Sequence, residues 1–315
     1  MSVVVGLDKF KEALAGHEDS YVLIGGGACS ILFDEVGADF RLTKDLDVVV
    51  IVDECGPSFA QAIWDFVKSG GYEAGKRKNG GCSYYRFTLP AGSPLVGEYP
   101  GEIELFARHP DFGLGNEASW VAPLPFDDTV SSLSAIILDD GYYEFIRANA
   151  MVVDGVSVLS ALHIIPLKMR AHIDNKRLHD EGALVSEKVL RKHRADVFEL
   201  SDLLALDSRL PLEGGIREDA EAFLADFEEH ASRETNRKRK ASLGEALDFL
   251  RRVYLQIENE MLRLGSTRVR EPSAPFGIEG SRVPCLTYTS CLLPFSASDS
   301  RLSIVDSALR MQRAR

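Results

Sequence analysis

Cysteine is scarce in this chain: five residues in 315, at 29, 55, 82, 285 and 291, an odd number, widely spaced and without metal-ligand spacing. That argues against a disulfide framework and against a zinc ribbon, and fits a reducing setting. No apolar run reaches membrane-spanning length, so no membrane partner is expected. The N-terminus, MSVVVGLDKFKEAL, has no basic region followed by a cleavage site, so a cytoplasmic rather than secreted protein is expected. His109, His163, His172, His179 and His193 form neither HxxxH nor HExxH spacing, which argues against a zinc enzyme. An excess of positive charge is also missing. The net charge of −12 excludes a general attraction to nucleic acid, though not a local basic groove. Two short clusters, Lys76-Arg77-Lys78 and Arg233 to Lys240, read as solvated charges.

What is present falls into three textures. Residues 1–158 alternate short helix and strand signals: a helical period in Leu7–Ala15, a strand at Tyr21–Ile24, a helix at Ala28–Val36 and a β-branched run at Val48–Val52. A helix follows at Phe59–Lys68, with Phe59, Ile63, Phe66 and Val67 on one face, then strands at Tyr84–Leu89 and Ile103–Ala107. Asp139-Asp140-Gly141 and Asp154-Gly155 read as turns between the strand-like runs AIIL, YYEFIRA, AMVV and VSVL. Residues 159–264 read as helical; Leu243, Leu247, Leu250, Tyr254, Ile257 and Met261 repeat at three- and four-residue steps. Residues 265–315, rich in Ser and Pro, have no sustained period and are expected to form an irregular tail. The expected fold class is α/β (α+β): a small mixed sheet flanked by helices, then a helical domain.

The segment from Ile24 to Asp53 concentrates the chemistry. Gly25, Gly26 and Gly27 end a strand and precede a helix, where glycine permits positive φ and close approach of backbone to a phosphate chain. The free N–H groups of a helix start can face an anion. Asp45 and Asp47, two residues apart at the entrance of a strand, project to the same side. Two carboxylates so placed repel unless a cation lies between them, and Mg²⁺ takes carboxylate, phosphate and water oxygens. The plain alternative is two solvated acids at a strand end. A third carboxylate would complete a two-metal site for in-line phosphoryl displacement. Glu102 and Glu104 share one face of GEIELFA; Glu104, inside the strand, is the choice.

Glycines, a helix, then RLTKDLDVVV and a later acidic strand resemble the nucleotidyltransferase superfamily (DNA polymerase β-like). The Arg41-x-Thr43-x-Asp45-x-Asp47 form is similar to the AbiEii-type toxin-like nucleotidyltransferases of toxin–antitoxin systems. LKMRA around Lys168 and RADVFEL around Asp196 are similar to that family's Lys-bearing helix and basic–x–Asp helix, so the match runs over roughly 20–205. The resemblance implies transfer of an NMP from an NTP to an acceptor hydroxyl, with Asp45, Asp47 and Glu104 holding two Mg²⁺ ions. It implies further that Lys168 contacts the triphosphate and Asp196 holds or orients it, with Gly25, Gly26 and Gly27 cradling phosphates. The acidic and basic stretch DNKRLHDEGALVSEKV between Lys168 and Asp196 reads as an inserted loop, and Ala28 and Cys29 stand where polar residues are common in the family.

Other readings stay open from the sequence. Lys168 also fits an amphipathic helix edge, and Asp196 an i+4 partner of Lys192 on an exposed face. Arg41 and Thr43 brace the loop or reach the NTP. Cys29, at a helix start, is a small buried residue or a thiol of lowered pKa. The acceptor is RNA, such as a tRNA end, along a groove of Lys168, Arg170, Lys176, Arg177 and Arg194, or a small molecule or protein side chain. An antitoxin partner would follow from the toxin reading. The contrasting class is a catalytically silent fold used for binding.

Overall fold

A computed structural model describes residues 4–41, 43–51, 57–79, 82–107, 121–123, 139–182 and 185–255. The expected irregular tail, the AIIL run, His109, Cys55, Cys285 and Cys291 lie outside them. Helix α1 (Leu7–Ala13) leads into β1 (Tyr21–Ile24), α2 (Gly25–Glu35), β2 (Asp45–Val50) and α3 (Pro57–Gly70). Strands β3 (Glu73–Asn79), β4 (Cys82–Thr88), β5 (Glu102–Ala107) and β6 (Val121–Pro123) follow. After α4 (Asp140–Ala148) come β7 (Ala150–Val153) and β8 (Val156–Leu159), then α5 (Ala161–Asp180), α6 (Glu187–Ser201), α7 (Gly214–Arg233) and α8 (Arg237–Tyr254). The fold is mixed α/β, a sheet flanked by helices with a helical half after it.

The described strands form one mixed sheet of eight, in the order β6-β3-β4-β5-β2-β1-β8-β7. Its centre is β5-β2-β1: β2 runs parallel to β5 and antiparallel to β1. Every residue of β1 is buried, as expected for a strand covered on both faces. Tyr21 packs edge-on against Phe10 of α1 and stacked on Phe59 of α3, and Trp64 of α3 meets Phe87 of β4. Helices α1 and α3 therefore cover the sheet face that carries Tyr21 and Phe87. Side chains alternate across a strand, so Ile24, Asp47, Glu104 and Arg86, which pair across neighbouring strands, project from the opposite face.

Three elements differ from expectation. The stretch DNKRLHDEGALVSEKV is not an inserted loop: its first seven residues continue α5 to Asp180, with Asp174 and Asn175 buried against the neighbouring helices, and its last three open α6 at Glu187. YYEFIRA is helical, not a strand: it lies in α4, whose N-cap Asp139 accepts the N–H of Tyr142 at 3.1 Å. Tyr142, Tyr143 and Ile146 are buried at helical spacing while Glu144 and Arg147 pair on the outer side, so packing of one helical face outweighs the β-preference of the aromatics. Helix α2 begins at Gly25 rather than Ala28, so the three glycines form its first turn.

Pro166 lies inside α5. Proline has no N–H to give to the carbonyl four residues back, that of Leu162. The hydroxyl of Tyr254, at the end of α8, donates to that carbonyl at 2.9 Å. The last described helix thus repairs the helix that carries Lys168.

Candidate active site

Strand pairing builds one wall. Asp45 stands opposite Glu102, and Asp47 opposite Glu104, in the parallel β2–β5 ladder. On the far side of β5, Arg86 stands opposite Glu104 and Thr88 opposite Glu102. Adjacent strands lie about 4.8 Å apart, so like charges directly opposite are destabilising. Arg86 relieves that repulsion. Its Nε and Nη2 both donate to one oxygen of Glu104, at 3.1 and 2.8 Å, and Nε lies 3.5 Å from Glu102. Loss of water together with the Glu104 charge pushes the Asp47 carboxyl up to about 7. Asp45, more exposed, is shifted upward by the same two causes.

The glycines serve this wall in an unexpected way. Gly25 has φ +69°, and a Cβ there would fall 1.7 Å from a carboxylate oxygen of Asp47. A Cβ on Gly26 would meet Thr43 Oγ1 at 3.0 Å and the Arg41 guanidinium at 3.3 Å; one on Gly27 would meet Leu46 at 3.0 Å. The missing side chains are therefore occupied by the 41–47 segment, which packs onto the first turn of α2. No side chain caps that turn. Cys29 donates its thiol to the Gly25 carbonyl at 3.0 Å, and burial pushes the thiol up to about 11, the reverse of an activated cysteine.

The helices supply the other wall. Lys168 of α5 donates to Asp196 of α6 at 2.9 Å, and Asp196 accepts both Nε and Nη2 of Arg41 at 2.8 and 2.9 Å. Asp196 is 1% exposed and Lys168 7%, so neither is a surface residue of an amphipathic edge. The two cations hold the Asp196 carboxyl well below the ordinary carboxylate range. Thr43 is buried, its hydroxyl 3.5 Å from the Asp45 carbonyl, a brace for the loop.

A cavity of about 340 Å³ opens between the walls. It is lined by Gly25, Gly26, Thr43, Asp45, Asp47, Glu102, Glu104, Arg86 and Lys168, with Ile164, Leu167, Ala171, Val189, Asn175, Lys192 and His193 at its helical side. The sequence reading missed Arg86, Asn175, Lys192 and His193. His193 Nδ1 is buried without a hydrogen-bond partner, and burial beside Lys168 pushes the ring down to about 3, so it is neutral. Of the residues proposed for a basic groove, only Lys168 reaches this cavity. Arg170 bonds Asp174 and Asp219, Lys176 bonds Asp180, and Arg194 bonds Asp226.

As the side chains stand, no group of three or more His, Cys, Asp or Glu among the described residues is arranged to hold a metal ion. The donor chemistry nevertheless suits a hard divalent cation: carboxylate oxygens only, in paired register, one of them held by a guanidinium as stand-in cation. No described helix is long and apolar enough to cross a membrane. No family model matches the chain, and no curated protein matches it.

Proposed function

We propose that this protein is a cytoplasmic nucleotidyltransferase, moving an NMP from an NTP onto an acceptor hydroxyl with release of pyrophosphate. The observation that carries the reading is the opposition of two walls across one cavity: paired carboxylates on β2 and β5, and Lys168, held by Asp196, beside the α2 N-terminus. Asp45, Asp47 and Glu104 would hold Mg²⁺, which when bound neutralises phosphate charge and makes the acceptor hydroxyl more acidic. Lys168 and Arg41 bind the polyphosphate as charge-assisted donors, and Asp196 keeps both pointed at the glycine turn. The uncapped first turn of α2 adds backbone N–H groups for an anion. Catalysis is then positioning and charge neutralisation, with no covalent enzyme intermediate. On the helix side of the cavity, Ile164, Leu167, Ala171, Val189, Asn175 and neutral His193 suit the nucleoside or the acceptor, while Lys192 adds a cation beside Lys168.

Purified protein is incubated with each NTP labelled at the α-phosphate, Mg²⁺, and total RNA, total protein or small metabolites. Label is expected in one acceptor fraction and absent in Asp47→Asn and Asp45→Asn, a loss of at least about a thousandfold on the scale of removing a transition-state charge partner. Undiminished labelling by both variants would sink the assignment. The second reading, a silent nucleotidyltransferase-like fold that binds rather than catalyses, is favoured by the Arg86–Glu104 pair. It predicts nucleotide binding without label transfer to any fraction.

A further inference from the structure

Among the described residues of β2, β4 and β5, Arg86 is the one cation. It stands on β4, the outer neighbour of β5, in the same cross-strand row as Glu104 and Asp47. Its Nε and Nη2 both donate to a single oxygen of Glu104, and Asp47 stands opposite Glu104 as the other carboxyl in the row. Its side chain is 21% exposed and lines the cavity, so the guanidinium has open space beside it. A guanidinium is a strong, permanently charged partner for a carboxylate, and it competes for the same oxygen lone pairs that a divalent cation uses.

We propose that Arg86 is a built-in counterion of the acidic wall, which a divalent cation must displace from Glu104, so that metal binds well only together with a nucleotide whose phosphates take over the guanidinium. The inference rests on the nucleotidyl-transfer reading, because it assigns Glu104 to the metal. Arg86 is a positioning residue in this scheme. It keeps four carboxylates of two paired strands compatible with the fold and sets the order in which ligands enter. A fixed positive charge a few ångströms from a cation site opposes binding strongly where water is partly excluded.

The test is Mn²⁺ binding to the full-length protein without nucleotide, followed by electron paramagnetic resonance of free Mn²⁺. Arg86→Gln is expected to bind Mn²⁺ about tenfold more tightly than wild type, on the scale of losing one nearby charge. Arg86→Lys keeps the charge but loses the two-pronged bond, and should tighten binding by about threefold; it decides the matter if Arg86→Gln fails to fold. Asp47→Asn should abolish binding. Equal affinity in wild type and the Arg86 variants, with loss in Asp47→Asn, overturns the counterion role alone. Equal affinity in all four, or no binding in any, overturns the metal assignment with it.

Discussion

The two walls of the cavity hold charge by opposite means. The strand wall places like charges face to face by register: Asp45 against Glu102 and Asp47 against Glu104, with Arg86 as the internal relief. The helix wall places unlike charges together: Asp196, 1% exposed, is saturated by Lys168 and Arg41. The difference shows in the carboxyls themselves, since Asp47 is pushed up and Asp196 is held down. Raised acids are strained in the fold and available to a ligand. A lowered acid belongs to the fold and orients others. Under the proposed function, one wall would give up stability for chemistry, while the other would supply stability that keeps the chemistry aimed.

That contrast breaks most sharply at Asp196. Replacing it with Ala strands two cations in a dry site and should cost about 3–5 kcal/mol of unfolding free energy, read by urea denaturation. Asp47→Asn, measured in the same way above pH 7, should leave stability unchanged or higher, because it removes a carboxylate that the fold disfavours in its charged form. Equal losses in the two variants would erase the distinction. The next effect lies where the walls meet. Gly25→Ala drives a methyl into the Asp47 carboxylate at a left-handed φ, and should cost about 2 kcal/mol while displacing Asp47. Label transfer should fall further than stability does, and a crystal structure would show the moved carboxylate. The smallest effect concerns pH. In the unfolded chain His193 takes up a proton below its ordinary 6.5, whereas in the fold it resists until about 3. The depressed value contributes stability that is complete above pH 6.5 and lost as pH falls towards 3. His193→Gln should therefore flatten the decline of stability between pH 6.5 and 4 in urea melts, and an unaltered slope would show that the ring is not withdrawn from water.

The fold was legible where periodicity is strong. Leu243, Leu247, Leu250 and Tyr254 lie on one buried stripe of α8, and Tyr21–Ile24 is the buried strand its apolar run predicts. YYEFIRA misled because two tyrosines and a phenylalanine favour strands in isolation, while burial of Tyr142 and Ile146 on one side decides for a helix. Asp45 and Asp47 were legible from spacing alone, because strand alternation is local. Lys168 and Asp196 had no local signal; resemblance alone drew attention to them, and their contact joins residues 28 apart on two helices. Arg86 and His193 could not be found in this way. Which strand residue faces Glu104 depends on the register between β4 and β5, and no single strand encodes it. His193 depends on how α6 rotates against α5, a matter of packing rather than sequence spacing.

The bond from Tyr254 to the Leu162 carbonyl also has a meaning in time. A chain emerging from the ribosome can form its acidic strands early, since Asp47 and Glu104 are separated by fewer than a third of the described residues. The Arg41–Asp196 bond closes a span of 155 residues, and the Tyr254–Leu162 bond a span of 92 that ends with the last described helix. Long closures come late, because their entropy must be met before the contacts form. Helix α5 therefore carries an open carbonyl at Leu162 until α8 arrives, less than two turns before Lys168. The helix wall is finished last, so a nascent chain holds its paired acids long before Lys168 and Asp196 stand opposite them.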